Sequence, residues 1–482
     1  MALAIAWVLV VARSAVFLFF EQSFFDSDQA IVGLMAKHLT EGRAFPLFYY
    51  GQTYLLGVDA WVAAPFFLVM GPTVVALHAA LVFMNLAVVA ALIVCLERSA
   101  GLRPMYGLMA SLFFACAPPA TSASLIEAGA NIGPLLYVPL LWMLRDQPLW
   151  FGALLALGFR NREFTIYVVP VLLFGQVVTG TLFRPERIRA WLLASVTFLA
   201  VWQVIELLKP FADLMGPGTR GELIHGVAGS EVGNILDRVS IVPTELPGRL
   251  VAMATDYVPR QVGARVARPA VVDQGRDWML WPFELTLVAA AGRALALLAA
   301  RARTRSQLGA TPSAVGWYLL GVGLTAAGVY ALTRPTGGVV DRYLLLTLYI
   351  PIGVVTTFLT IEPRPWLRRT MVALVLAWAV FSVEDHVRFA EMYWHGDQPN
   401  DMRVLADALE ARGISVAEAG YWRAYKLAFL THERVKVASS DVARIEEYQR
   451  LAAEAGANLI VIQEEPCPGD HIGMWFLCRA AR

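Results

Sequence analysis

Charge is scarce in this chain. Asp, Glu, Lys and Arg make up 16% of 482 residues, 39 basic against 38 acidic, leaving a net charge of +1. That balance gives no global field for holding nucleic acid, and no basic stripe with interleaved aromatics stands in for one, so no nucleic-acid partner is expected. Motif chemistry is equally sparse: no Walker or Rossmann glycine pattern and no His/Cys metal spacing occurs. Cysteine is limited to four residues. Cys95 and Cys116 fall in apolar stretches, where a thiol behaves as a small hydrophobe. Cys467 and Cys478 flank the turn-rich segment Pro468 to Gly473, so an oxidising compartment would allow a disulfide that closes a hairpin.

What the chain has in abundance is apolar length. Hydrophobic residues reach 58% and the mean hydropathy is +0.57, which is outside the range of an ordinary soluble domain and defines a polytopic membrane protein. Apolar spans are expected near 2–20, 72–95, 105–120, 129–144, 149–160, 165–181, 190–208, 279–300, 314–333, 343–361 and 370–385, about eleven helices in all. The pair 149–160 and 165–181 is short for two crossings and reads equally as one broken hairpin or re-entrant element. The first span has no basic n-region and Arg13 interrupts it, so it is expected to be a retained anchor rather than a cleaved signal.

Orientation follows from arginine. Arg98 with Arg103, Arg145, Arg184 with Arg187 and Arg189, Arg301 with Arg303 and Arg305, and Arg364 with Arg368 and Arg369 all fall on one side of the eleven-span layout. Basic residues in short loops resist translocation, so that side is expected to be cytoplasmic, together with the N-terminus. The loop 21–71, the loop 209–278 and the region from 386 onward are then external. Two parts result: a transmembrane domain over 1–385 and an extracytoplasmic α/β domain over 386–482. In the latter, a helix is expected at 400–412, a strand at 414–419, a helix at 444–455 closed by Gly456, and a strand at 459–462. Between them, Tyr421 to Leu427 is aromatic and basic. It is expected to be a helix packing its aromatic face on the strands, with contact to a sugar or a lipid phosphate as the functional alternative. The glycine- and proline-rich loop 209–278 reads as an external lid with short helices at 232–239 and 246–254.

The acids stand at a membrane edge. Asp26 and Asp28 directly precede a helical stretch, Gln29 to Leu39, and an Asp at such a boundary commonly caps it. That role is assigned to Asp26. Asp59 lies in an apolar segment, Val58 to Val69, where an ionisable side chain is a functional candidate. Glu127 follows Pro118-Pro119 in the next short external loop and is a second candidate. Arg160, Arg162, Arg334 and Arg342 sit on the external side, against the basic-inside bias, and guanidinium groups suit phosphate.

Ser27-Asp28-Gln29-Ala30 through Met35-Ala36, then Phe48 to Gly57, Asp59-Ala60, Ala64-Pro65 and Gly71, resemble the first external loop of bacterial family-39-type membrane glycosyltransferases. These enzymes belong to the GT-C superfamily, with protein O-mannosyltransferases and aminoarabinose transferases among them. Asp341-Arg342-Tyr343-Leu344 is similar to their Arg-Tyr-Leu lead-in to a late span, and Tyr421 to Val437 to an aromatic segment in some external tails. The resemblance implies an all-α, GT-C-like membrane domain and transfer of a sugar from a polyprenyl-phosphate donor to a hydroxyl of an envelope glycan, lipid or protein. It also implies a bacterial cytoplasmic membrane location and contact with membrane lipid. Asp28 matches the first acid of the loop motif and is the expected general base, with Asp59 and Glu127 as further catalytic candidates. Arg342, Arg160, Arg162 and Arg334 are the expected donor-phosphate ligands, while Asp26, Tyr50, Gln52 and Tyr54 line the substrate loop. Many relatives carry a second acid where this chain has Gln29, which leaves a divalent metal at this loop open. A flippase for lipid-linked sugars and a non-catalytic envelope-assembly protein are the competing classes; no inverted repeat supports the former.

Overall fold

The computed structural model describes residues 1–21, 24–129, 131–221, 244–263, 277–303, 314–333, 341–396 and 398–480, with backbone alone at 277–282, 298–303 and 341. Arg334, the helix expected at 232–239 and much of the 209–278 loop lie outside these residues.

Each expected apolar span falls on helix. Not all of them are separate long helices, however. Among the described residues, five helices are long and apolar enough to cross a membrane by length and composition: Val74–Ala100, Pro185–Phe211, Ala314–Leu332, Arg342–Ile361 and Pro365–His395. A sixth is reached if Pro104–Ala115 and Pro119–Ile126, bent by 86° at Pro118-Pro119, are one span. Breakers explain the difference, since proline removes a backbone donor and clashes with the preceding turn. The suspected broken pair is indeed interrupted, as Pro148–Asn161 ends in the 3₁₀ turn Glu163–Tyr167 before Val168–Val178. Ala2–Arg13, Val58–Met70 and Gly133–Leu144 are short apolar helices.

Small residues let the long helices touch. A Cβ on Gly353 would lie 2.5 Å from Leu320 N, so Tyr349–Ile361 meets Ala314–Leu332 backbone to backbone. In lipid, where hydrophobic burial no longer drives helix association, such close packing is a main adhesive.

The first loop is structured throughout. Ser27–Thr40 is a helix, Phe48–Tyr49 and Gln52–Leu56 form an antiparallel hairpin turned at Gly51 (φ +73°), and Val58–Met70 follows as a helix. The C-terminal unit is a five-stranded mixed sheet in the order 436–439, 416–419, 460–463, 475–479, 470–472. The first three strands are parallel, joined by the crossover helices Tyr421–Leu430 and Glu446–Ala455; the last two are antiparallel. Sequence periodicity located the helices Asp401–Ala411 and Glu446–Ala455 and the strands Val416–Ala419 and Ile460–Gln463, but not the other three strands, which are short or flanked by charge. Cys467 and Cys478 are joined by a disulfide, which the sequence allowed without deciding.

Tyr421–Leu430 packs not only on strand Lys436–Ser439 but on Ser27–Thr40. Gly33 makes this possible: a Cβ there would stand 2.5 Å from the Phe429 ring. The last apolar helix, Pro365–His395, runs ten residues beyond the expected boundary at 385 before the C-terminal unit starts.

Candidate active site

Asp26 starts the Ser27–Thr40 helix as its N-cap, in extended backbone, with its carboxylate accepting from Gln29 N at 3.1 Å. An N-cap supplies an acceptor for a donor that has no intrahelical partner, which is why a short acidic side chain suits the position. Asp28 then falls in the first turn, where the helix dipole favours negative charge, while Lys37 and His38 occupy the last turn. Gln29, the residue after Asp28, is committed elsewhere. Its amide donates to the Phe24 carbonyl and faces His78 Nε2 at 3.2 Å, bracing a residue held in left-handed backbone (φ +56°).

Asp28 and Glu127 converge on Arg342. The guanidinium Nη1 lies 3.0 Å from Asp28 Oδ2 and 2.5 Å from Glu127 Oε1, joining residues 314 and 215 positions apart. Glu127 reaches this point because the bent helix Pro119–Ile126 ends at it, and Arg342 because it opens the 3₁₀ turn leading into Tyr349–Ile361. The second Asp28 oxygen accepts from Tyr421 OH at 2.5 Å, and the Asp28 carbonyl accepts from Tyr49 OH at 3.0 Å. Two carboxylates thus share one arginine, with the Asp26 carboxyl close enough to feel all three charges. Burial, then the charges of Glu127 and Asp28, push the Asp26 carboxyl up to about 7, so it carries a proton for much of its time near neutrality.

Cations surround the cluster at a second radius. Arg444 lies over the rings of Tyr49 and Tyr421, at 5.7 and 5.9 Å, and donates to Gly51 O at 3.0 Å. Lys426 is half-buried 5.9 Å above Phe25, and no hydrogen bond or ion pair holds its ammonium among the described residues. Burial lowers its pKa, against the opposing charges of Asp26 and Glu21. Arg162 is buried between the rings of Phe164 and Tyr343, 5.2 Å from each, and Tyr343 also receives Arg342 at 5.5 Å. The pairing of Arg162 with Glu163 is a loose 3.9 Å.

The remaining candidates sit apart from this centre. Arg160 is buried against Trp202 and bonded to Glu206 Oε1 at 2.6 Å and Thr53 O at 3.3 Å, bracing the hairpin. Buried Asp59 accepts from Gly129 N at 2.8 Å and so holds the loop two residues after Glu127. Tyr50 is buried with its hydroxyl 3.1 Å from His38 Nδ1, and Gln52 and Tyr54 lie half-buried on the second hairpin strand. Among the described residues, no group of three or more His, Cys, Asp or Glu is arranged to hold a metal ion. Tyr421, Lys426 and Arg444 were not singled out individually by sequence reasoning; the only signal was the aromatic and basic character of the segment that begins at Tyr421.

A helical membrane domain joined to a small mixed-sheet unit is a fold already seen in solved structures. Two structures of ArnT from Cupriavidus metallidurans share the fold. The one bound to undecaprenyl phosphate matches with a TM-score of 0.54 and 10% identity over 94% of this chain and 92% of that chain. The apo state matches with a TM-score of 0.52 and 11% identity over 95% and 93%. No protein-family model matches the sequence, and no curated protein matches it.

Proposed function

We propose that the protein is a glycosyltransferase that moves a sugar from a polyprenyl-phosphate donor to a hydroxyl acceptor on the outer face of the bacterial cytoplasmic membrane. The observation that carries this reading is the convergence of Asp28, Glu127 and Tyr421 around Arg342, at the first loop of a fold shared with a structure bound to undecaprenyl phosphate. The arginine distribution supports an external site, and nucleotide sugars do not reach that compartment, so a donor already carried across on a lipid fits.

Asp28 acts as the general base. A carboxylate has about four acceptor positions, so the bonds from Arg342 and Tyr421 leave room for an acceptor hydroxyl. As that oxygen attacks the anomeric carbon, its proton passes to Asp28, the bond from carbon to phosphate oxygen breaks, and the phosphate departs with the electron pair as polyprenyl phosphate. Positive charge must meet the leaving group. Arg342 is already shared between two carboxylates, so Lys426 and Arg162 are the cations with charge to spare, and Arg160, bonded to Glu206, serves the hairpin.

The test is transfer by purified protein in liposomes from a labelled sugar on polyprenyl phosphate. Label appearing on a hydroxyl acceptor, with release of polyprenyl phosphate, is expected. Movement of intact donor across the bilayer without transfer would establish a flippase instead.

A further inference from the structure

Asp28 is gripped by a side chain 393 positions away, from a different folding unit. We infer that Tyr421 is a positioning residue for Asp28, and that docking of the C-terminal unit on the first loop completes the catalytic centre. This rests on the reading of Asp28 as the general base.

The geometry is specific. Tyr421 begins its helix with its backbone N–H donating to Asp441 Oδ1 at 2.7 Å, and Asp441 also accepts from the Ser439 hydroxyl at 2.8 Å. The helix start is thereby fixed to the edge strand of the sheet. Its ring is 7% exposed, edge-on to Tyr425 at 5.6 Å and beneath the Arg444 guanidinium. Burial and the neighbouring Asp28 charge hold the phenol well above its usual pKa, so the hydroxyl stays protonated and donates. With Tyr421 on Oδ1 and Arg342 on Oδ2, both ends of the carboxylate are held and its plane is set. Arg444 couples the two sides: it spans Tyr421 and Tyr49, and Tyr49 donates to the Asp28 backbone carbonyl. A base held this way loses little freedom on reaching the proton it takes, which is where a positioning group acts.

The groups facing Asp28 that titrate or carry charge are Arg342, Glu127, Asp26, Tyr49, Tyr421 and Arg444. Removing one hydrogen bond to a charged carboxylate makes it harder to ionise. Tyr421→Phe is therefore expected to lower kcat about tenfold to a hundredfold with little change in KM, and to move the acid limb of the pH–rate profile upward by about one unit. Labelling of Asp28 by a carbodiimide across pH, read by mass spectrometry, reports the same shift without any assay of transfer. Tyr425→Phe is the control, because its hydroxyl bonds Val442 O and Arg444 N rather than Asp28. It is expected to lower thermal stability while leaving the labelling midpoint in place. If Tyr421→Phe does not fold, 3-fluorotyrosine at the same position, a stronger donor, is expected to move the midpoint downward. An unmoved midpoint in the folded Tyr421 variant, or equal shifts in both variants, overturns the inference. A shifted midpoint in a protein that transfers no sugar would uphold the contact and remove the glycosyltransferase reading instead.

Discussion

The two ends of the Ser27–Thr40 helix, about 15 Å apart between Asp28 and His38, both meet the C-terminal unit, and they do so in opposite ways. At the far end a single carboxylate, Glu433, is saturated. It accepts from Lys37 Nζ at 2.5 Å, His38 Nε2 at 2.9 Å, Arg43 Nη1 at 2.8 Å and Tyr448 OH at 2.8 Å, and its side chain is 4% exposed. At the near end two carboxylates share one arginine with the Asp26 carboxyl nearby, while Lys426 has no hydrogen bond or ion pair among the described residues and Arg162 has only a loose 3.9 Å pairing with Glu163. A saturated cluster has no capacity for a substrate, whereas an unbalanced one waits for added charge. Structural ion pairs and functional ones are distinguished here by stoichiometry rather than by burial.

The electrostatics point the same way. Burial alone would raise the Glu433 carboxyl, yet the hydrogen bond and charge of His38 and then of Lys37 hold it well below the usual carboxylate range. Asp26 moves in the other direction, to about 7. A depressed carboxylate contributes stability that is complete above its unfolded pKa, near 4.3, and lost as pH falls through its folded value. Docking of the C-terminal unit is therefore expected to hold at pH 5 and to weaken progressively below about 4, read by hydrogen exchange in the Tyr421–Leu430 helix.

Mutations should separate the two ends. The largest effect is expected from Asp28→Asn, which removes the base and should cut transfer by roughly a thousandfold, measured as single-turnover rate. Glu433→Ala leaves Lys37, His38 and Arg43 around an empty place; breaking a buried pair from one side costs about 3–5 kcal/mol, to be read in urea unfolding, with residual folded protein still transferring sugar. Replacing Cys467 and Cys478 by Ala should cost about 2–3 kcal/mol in the same assay and leave the pH–rate profile in place, since Cys478 is on strand 475–479, at the other end of the sheet from strand 436–439. The smallest effect belongs to the cap. Asp26→Ala should cost about 1 kcal/mol, and Asp26→Asn only a few tenths, because Asn caps as well and mimics the neutral acid. A large loss of stability in Asp26→Asn would mean that its charge, not its acceptor, matters.

The sequence announced one side of this comparison better than the other. Asp26 as cap follows from local pattern, and Asp28 and Arg342 were picked out as candidates by short motifs. The mutual arrangement was not legible, since Arg342 is joined to Asp28 across 314 positions and Tyr421 to Asp28 across 393. Composition cannot encode such pairings. The same blindness treated Arg160 and Arg162 alike, although two residues along a helix end turn one toward Glu206 and the other toward Tyr343. Apolar runs fell on helix but did not show where the helices break, because hydropathy does not register a bend of 86° at paired prolines. The Lys37–His38–Glu433 cluster gave no signal, as isolated charges in a helix and a turn carry no periodicity.

The central claim is that the Asp28 end does chemistry and the Glu433 end holds the structure. It is tested most directly by measuring transfer rate and thermal midpoint together for Asp28→Asn and Glu433→Gln. Transfer lost at an unchanged midpoint in the first, and a lowered midpoint with transfer retained in the second, is the predicted result; full transfer by Asp28→Asn would contradict it.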